Sequence, residues 1–282
     1  MSGGIDCRSV SSGYLGSTVL QDVSFRADEP GIYVVLGPNG AGKTTLFRTV
    51  AGILRPSHGE IRVAGEPVEH ATAREHLHYL SHTDGLPDGL RVREALRFYA
   101  RVERAGPSDV ERVLDQLEIR ELEDRFPSQL SAGQRKRASL ARVFLREREI
   151  YLLDEPTANL DPKVAREIRS LILRLSQEKI VLYSSHNLFE AREIGRYVLA
   201  LKAGRISLFD RLENVRSARF VLGIRLLDAP PALDGFAREG DYFLRELGGP
   251  EEVPAILQGL LQRGLRVREA REMENPLEDL FA

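Results

Sequence analysis

Cysteine is almost absent from this sequence of 282 residues: Cys7 stands alone, near a polar N-terminus. One thiol allows neither a disulfide framework nor a cysteine-based metal cluster within the chain, and a reducing, cytoplasmic setting is the default expectation. Long hydrophobic runs are missing as well. The apolar stretches, such as IYVVLG and IYLL, fall far short of the roughly 18 residues of a membrane-crossing helix, and MSGGIDCRSVSSG contains no hydrophobic signal core. Neither a membrane span nor export by a signal peptide is therefore expected, while docking onto a membrane protein stays open. No charge of one sign prevails: 40 basic residues against 42 acidic ones leave a formal net charge of -2, so no basic field recommends a nucleic-acid partner. Internal repeats and low-complexity tracts are lacking too, apart from a slight Ser and Gly excess before Tyr14 that suits a loose N-terminus.

What remains is an ordinary globular composition, 42% hydrophobic and 29% charged, in a chain long enough for one large domain with an appendage. VLQDVSFRA alternates apolar and polar residues and PGIYVVLG is a compact β-rich run, so the chain opens in strands. After GPNGAGKTT the spacing in LFRTVAGIL is helical, and GEIRVAGEPV returns to a strand and turn. From about residue 87 to 147 apolar residues recur three and four apart, which predicts a helical insert. Strands EIYLLDEP and KIVLYSSH then alternate with helices PKVAREIRSLILRLS and LFEAREIG, before a hairpin turning at Ala203 and Gly204. The fold class predicted is α/β: a mostly parallel sheet covered on both faces, with an antiparallel N-terminal β subdomain and the helical insert. The organisation expected is a main domain over 1–210, a linker over 211–218 with a short helix, and a small α+β module over 219–282. That module reads as two strands, a helix, a strand and a terminal helix over NPLEDLFA.

The chemistry concentrates in a few places. GPNGAGKT, residues 37–44, fits G-x-x-x-x-G-K-[ST] between a strand and a helix, the context that separates a phosphate loop from a chance match. The loop Gly37, Pro38, Asn39, Gly40, Ala41 and Gly42 to Thr45 would wrap the phosphates, its backbone N–H groups (Pro38 has none) facing phosphate oxygens together with the helix N-terminus. Lys43 would reach the β- and γ-phosphates, and the Thr44 hydroxyl would bind Mg²⁺. IYLLDEP supplies a buried strand ending in carboxylates: Asp154 for Mg²⁺ through water, and Glu155 to polarise or deprotonate an attacking water.

LSAGQRKR, residues 130–137, opens a second helix with an anion-attracting N-terminus, and it lies between the phosphate loop and the carboxylate strand. Here the chain resembles the ATP-binding cassette (ABC) family, whose signature LSGGQ differs only at Ala132. The resemblance implies a P-loop NTPase fold, ATP and Mg²⁺ as ligands, and catalytic roles for Lys43, Glu155 and His186. It also implies a head-to-tail dimer in which each ATP lies between the Lys43 loop of one copy and Ser131, Gly133 and Gln134 of the other. TANLDP resembles the family's D-loop, which brings Asp161 to the dimer interface. YSSH places His186 where the family contacts the γ-phosphate, and Tyr14 lies where it stacks a ring on adenine.

The implied partners are a second copy of the ATPase and a separate membrane-spanning transporter subunit, gripped near residues 82–100 from the inner face of the cell membrane. NPLEDLFA is similar to the tail of drug, lipid or polysaccharide exporter ATPases, so an exporter is expected; a cytosolic scaffold ATPase is the alternative. In one position the chain departs from the family. HYLSHTDGL puts His82 where a glutamine normally approaches Mg²⁺, a substitution also associated with haem-exporter ATPases. Mg²⁺ prefers oxygen ligands, so an imidazole there would act through water instead, with a charge adjustable near neutral pH.

Overall fold

The computed structural model describes residues 3–82, 85–215, 220–228, 230, 232–248 and 252–273. Two compact units divide the chain, residues 1–212 and 213–282.

The first unit carries two sheets. Strands β1 (Ile5–Tyr14), β2 (Ser17–Ala27), β4 (His58–Val63) and β5 (Glu66–Pro67) form an antiparallel sheet in the order β2-β1-β4-β5. The loose N-terminus expected from the Ser and Gly residues before Tyr14 is instead the well-paired strand β1. Register shifts between Cys7 and Val10 and on to Gly13 break its alternation, which hides it from a period-of-two reading. Ile5, Cys7 and Val10 still point into the core, and the Ser12 hydroxyl lies buried 3.1 Å from that of Thr49. Burial pushes the Cys7 thiol far up from its usual range, which leaves it a packed, inert group.

The second sheet has the order β10-β9-β3-β8-β7-β6. Its members are β3 (Gly31–Leu36), β6 (Leu77–Leu80), β7 (Ile150–Asp154), β8 (Ile180–Ser185), β9 (Tyr197–Lys202) and β10 (Arg205–Arg211). All pair in parallel except β10 with β9, as the predicted mostly parallel sheet requires. β3, β7 and β8 are buried at every residue, which explains their runs of Val, Ile, Leu and Tyr; Gly31 opens β3, and Asp154, Ser184 and Ser185 stand at the ends of β7 and β8. The β9–β10 hairpin turns through Ala203 and Gly204 at φ 48° and 76°, the left-handed pair that a tight hairpin demands.

Helix α1 (Lys43–Val50) lies in the core shared by the two sheets. Its Leu46 and Phe47 pack with Val23 and Phe25 on one side and Val35, Leu152 and Leu182 on the other. A short helix α2 (Ala71–Arg74) leads into β6. Between β6 and β7 comes the helical insert: α3 (Val92–Glu103), α4 (Pro107–Gln116) and α5 (Ala132–Val143), with single 3₁₀ turns at 120–122 and 127–129. Arg93 joins its parts by ion pairs to Glu111 and Glu123. α6 (Pro162–Leu175) and α7 (Leu188–Ile194) follow β7 and β8, and α7 packs on β3 and β8.

A 3₁₀ turn at Leu212–Asn214 spans the division between the units, where a linker helix was expected. The second unit holds β11 (Phe220–Leu226), β12 (Ala237–Glu239), β13 (Tyr242–Leu247), α8 (Val253–Gln262) and β14 (Val267–Glu272), the strands in antiparallel order β12-β13-β11-β14. Leu222, Ile224, Phe243 and Leu260 centre its core. β12 escapes the sequence reading because its three exposed residues carry no apolar alternation. The helix expected over NPLEDLFA falls outside the described residues.

Candidate functional site

The site starts where β3 ends. Gly37 follows Leu36 so closely packed that a Cβ there would sit 2.5 Å from the Leu201 carbonyl oxygen and 2.9 Å from the Ala41 methyl. Gly42 has φ 106°, outside the range of ordinary side chains, and precedes the first residue of α1. The chain therefore turns sharply between buried neighbours and enters the helix with its N-terminal amides free of side-chain caps. Pro38, Asn39 and Gly40 form the exposed crest of the loop.

Lys43 folds back along this loop. Its Nζ donates to the carbonyls of Gly37 at 2.7 Å and Pro38 at 3.3 Å, and stands 3.8 Å from Glu155 Oε1. The side chain is 6% exposed, and burial lowers its pKa against the opposing pull of Glu155 and Asp154. A cation held this way is poised to trade two carbonyls for phosphate oxygens.

Thr44 Oγ1 donates to Asp154 Oδ2 at 2.8 Å, so the loop hydroxyl and the carboxylate at the end of β7 share one spot. Asp154 is buried, and its other oxygen accepts from Ser184 Oγ at 2.6 Å. Ser184 Oγ in turn accepts from the Glu155 amide at 2.8 Å. Glu155 itself has φ 48°, a left-handed conformation for a non-glycine residue that turns its carboxylate away from the strand line.

That carboxylate is the meeting point of the site. Besides Lys43, it has His186 Nδ1 at 3.5 Å from Oε1 and His82 Nδ1 at 3.6 Å from Oε2. Glu155 is 16% exposed, while the His82 and His186 side chains are 46% and 58% exposed. The four groups line or flank an open cleft of about 530 Å³ that also takes in Thr44, Arg48 and Asn159. A buried cation, a carboxylate pair, a hydroxyl and two imidazoles around a helix N-terminus suit binding of a phosphoryl group and activation of a water beside it.

The other residues singled out in the sequence lie elsewhere. Ser131 caps α5: its hydroxyl accepts from the Gln134 amide at 3.3 Å, and the Gln134 side-chain oxygen accepts from the Ser131 amide at 3.0 Å. Gly133 faces α6, where a Cβ would come within 3.0 Å of Val164. None of these lines the cleft around Glu155. Asp161 is exposed at the start of α6. Tyr14 sits at the β1–β2 turn with its hydroxyl 3.2 Å from Arg48 Nη1, so Arg48 links it to α1. Ser184 and Arg48 were not singled out. Ser184 becomes visible only through register, because it stands opposite Asp154 in the β7–β8 pairing, 30 residues away in the chain.

Comparison with known proteins places these observations. Residues 20–158 match the family described as ABC transporter. The energy-coupling factor transporter ATP-binding protein EcfA of Methanoculleus marisnigri is 33% identical over 238 residues, covering 80% of this chain and 86% of its own. An uncharacterized ABC transporter ATP-binding protein of Bacillus subtilis, YhcH, is 28% identical over 98% of this chain and 94% of its own, so its alignment runs through the second unit too. Relatives named for sulfate or thiosulfate import and for Nod factor export also match. Among solved structures, an ATP-binding subunit of an ABC transporter superposes with a TM-score of 0.67 at 28% identity, over 76% of this chain and 92% of its own.

Proposed function

The chain belongs to the ABC transporter family as one of its ATP-hydrolysing ATP-binding proteins, and from that premise we propose that it powers an exporter, working as a head-to-tail pair on a separate membrane-spanning subunit. The observation that carries the catalytic part is the position of Glu155, half-buried next to the buried Asp154, 3.8 Å from Lys43 and 3.5 Å from His186.

The loop amides and Lys43 hold the phosphates of ATP. Glu155 accepts a proton from the attacking water as its oxygen bonds to the γ-phosphorus; the bond from that phosphorus to the bridging oxygen breaks, and ADP leaves with the electron pair. His186 donates toward a γ-phosphate oxygen and gives the pocket its end wall. Thr44 and Asp154 suit Mg²⁺, because they offer hard oxygen donors in one place and no more: among the described residues no group of three or more His, Cys, Asp or Glu forms a cage of its own. When bound, Mg²⁺ would neutralise phosphate charge there.

Ser131, Gly133 and Gln134 make no contact with this chain's own loop among the bonds described, which supports their serving the nucleotide of a second copy. Asp161, exposed between the two, serves the same interface, and Tyr14 with Arg48 takes the adenine side. Either a homodimer or a heterodimer satisfies this arrangement, since one chain carries a full set. The second unit is an accessory that supports packing or pairing. Export is supported by the resemblance of the tail and by the Nod factor export relative, against relatives named for import. No helix among the described residues is long and apolar enough to cross a membrane. In the proposed arrangement the transport path belongs to the partner, and this chain sits on the inner face of the cell membrane. Capture of the tagged chain from gently solubilised membranes tests this. A polytopic membrane protein retained in stoichiometric amount is the expected result; recovery from the cytosol alone contradicts it and supports the scaffold alternative.

His82 stands in for the usual glutamine. Its Nδ1 lies 3.6 Å from Glu155 Oε2, beyond a formed hydrogen bond and within reach of a shared water. His82→Ala lowers kcat about fivefold, the worth of one ~1 kcal/mol hydrogen bond, and His82→Gln restores most of it. Equal losses in both variants, read by phosphate release, contradict the stand-in role.

A further inference from the structure

Hydrogen-bonded to the segments that carry Glu155 and His186 lies a buried carboxylate on a neighbouring helix. Glu190, on α7, is 8% exposed, and every oxygen it has is used. Oε1 accepts from the hydroxyls of Thr157 and Tyr183, the latter at 2.7 Å, and pairs with Arg169 Nη1 at 3.3 Å. Oε2 accepts from Ser185 Oγ at 2.6 Å. Ser185 Oγ also accepts from the Asn187 amide at 3.0 Å, so its side chain brackets His186 from both sides. Thr157 stands two residues beyond Glu155, where the chain leaves its left-handed turn. Burial and the neighbouring Glu190 charge hold the Tyr183 phenol well above its usual range, which keeps it a donor.

The carboxylate thus has one anchor on each of the two segments that carry Glu155 and His186. A buried charge is costly unless paired, and Arg169 of α6 supplies the pairing, with its other nitrogen 2.9 Å from Glu193. Apolar packing would fill this space without fixing the relative height of β7 and β8 ends. Directional bonds to both ends fix it.

We propose that Glu190 is a positioning residue for hydrolysis: through Thr157 it sets the turn that aims Glu155, and through Ser185 it sets His186, keeping the two in register around the attacking water. The inference rests on the assignment of Glu155 and His186 to catalysis. It adds that their alignment is set by a residue that never touches nucleotide.

Glu190→Gln tests it, because an amide keeps the shape and one oxygen while turning the other position from acceptor to donor, against the Ser185 hydroxyl. On full-length protein, kcat for ATP falls by on the order of tenfold, while the dissociation constant for a fluorescent ATP analogue stays within about twofold, since the network reaches no phosphate-loop atom. In a His186→Ala background the same change lowers the remaining single-turnover rate by a clearly smaller factor than in the parent, since only the arm through Thr157 and Glu155 is left to act. Ser185→Ala, which deletes the bond to Glu190 and the one from the Asn187 amide, depends more fully on His186, with a smaller drop in the parent, and serves if Glu190→Gln does not fold. Full additivity with His186→Ala, or a lowered melting midpoint with kcat unchanged, overturns the proposal. Turnover indifferent to Glu155→Gln as well removes the catalytic assignment itself; turnover indifferent to the Glu190 and Ser185 variants alone removes only the strut.

Discussion

Glu155→Gln lowers steady-state ATP turnover by about a hundredfold or more, the contribution of a general base, and leaves nucleotide binding intact or tighter. The direction of the second effect follows from charge. The Glu155 carboxylate stands where a γ-phosphate approaches Lys43, so neutralising it removes a repulsion between anions and leaves the cation wholly to the nucleotide. The amide preserves volume at a residue that is 16% exposed, and the backbone bond from the Glu155 amide to Ser184 Oγ is untouched by the change. Phosphate release and titration with a fluorescent ATP analogue separate the two outcomes. Turnover within about fivefold of the parent would put the base elsewhere.

Lys43→Ala weakens Mg-ATP binding by about ten- to a hundredfold, as expected for the loss of a charge-assisted bond worth ~1.5–3 kcal/mol. The protein without nucleotide should lose little stability. The Lys43 cation is held in a buried place at a cost in solvation, which is what lowers its pKa, so removing it recovers part of what the lost contacts forfeit. The two carbonyls it leaves belong to Gly37 and Pro38, of which Pro38 is exposed and open to water. Thermal unfolding with and without Mg-ATP reads both claims. The parent gains stability with ligand concentration by mass action, and Lys43→Ala loses that gain at concentrations that saturate the parent. A variant whose melting point still rises with ATP as the parent's does would show that the loop amides suffice and Lys43 is not a principal phosphate contact.

Which parts of this were legible in the sequence follows from how local they are. The phosphate loop, the strand ending in Asp154 and Glu155, and the cap at Ser131 are each written in fewer than ten consecutive residues, and each appears where expected. The parallel sheet was legible because β3, β7 and β8 each carry an apolar run and are separated by helical periods. β1 was not, because its bulges interrupt alternation and its Ser and Gly content imitates a loose segment. Ser184 and Glu190 were not either. Each earns its role from strand register or from helix docking, which bring Asp154 to Ser184 and Thr157 to Glu190 across some thirty residues of chain. A buried glutamate on the amphipathic helix LFEAREIG looks like any solvated one until its neighbours are known. His82 was visible as a departure from a pattern, and the structure adds its place beside Glu155 Oε2.

The proposed pairing requires that each nucleotide be completed by the Ser131 helix of a second copy. Light scattering of Glu155→Gln during gel filtration with saturating Mg-ATP measures this directly. The expected result is a particle of twice the mass of one chain, reverting to single-chain mass without nucleotide or when Ser131→Arg is added to block the exposed end of α5. A single-chain mass at micromolar protein with ATP demonstrably bound, alone and with the membrane partner, contradicts the claim.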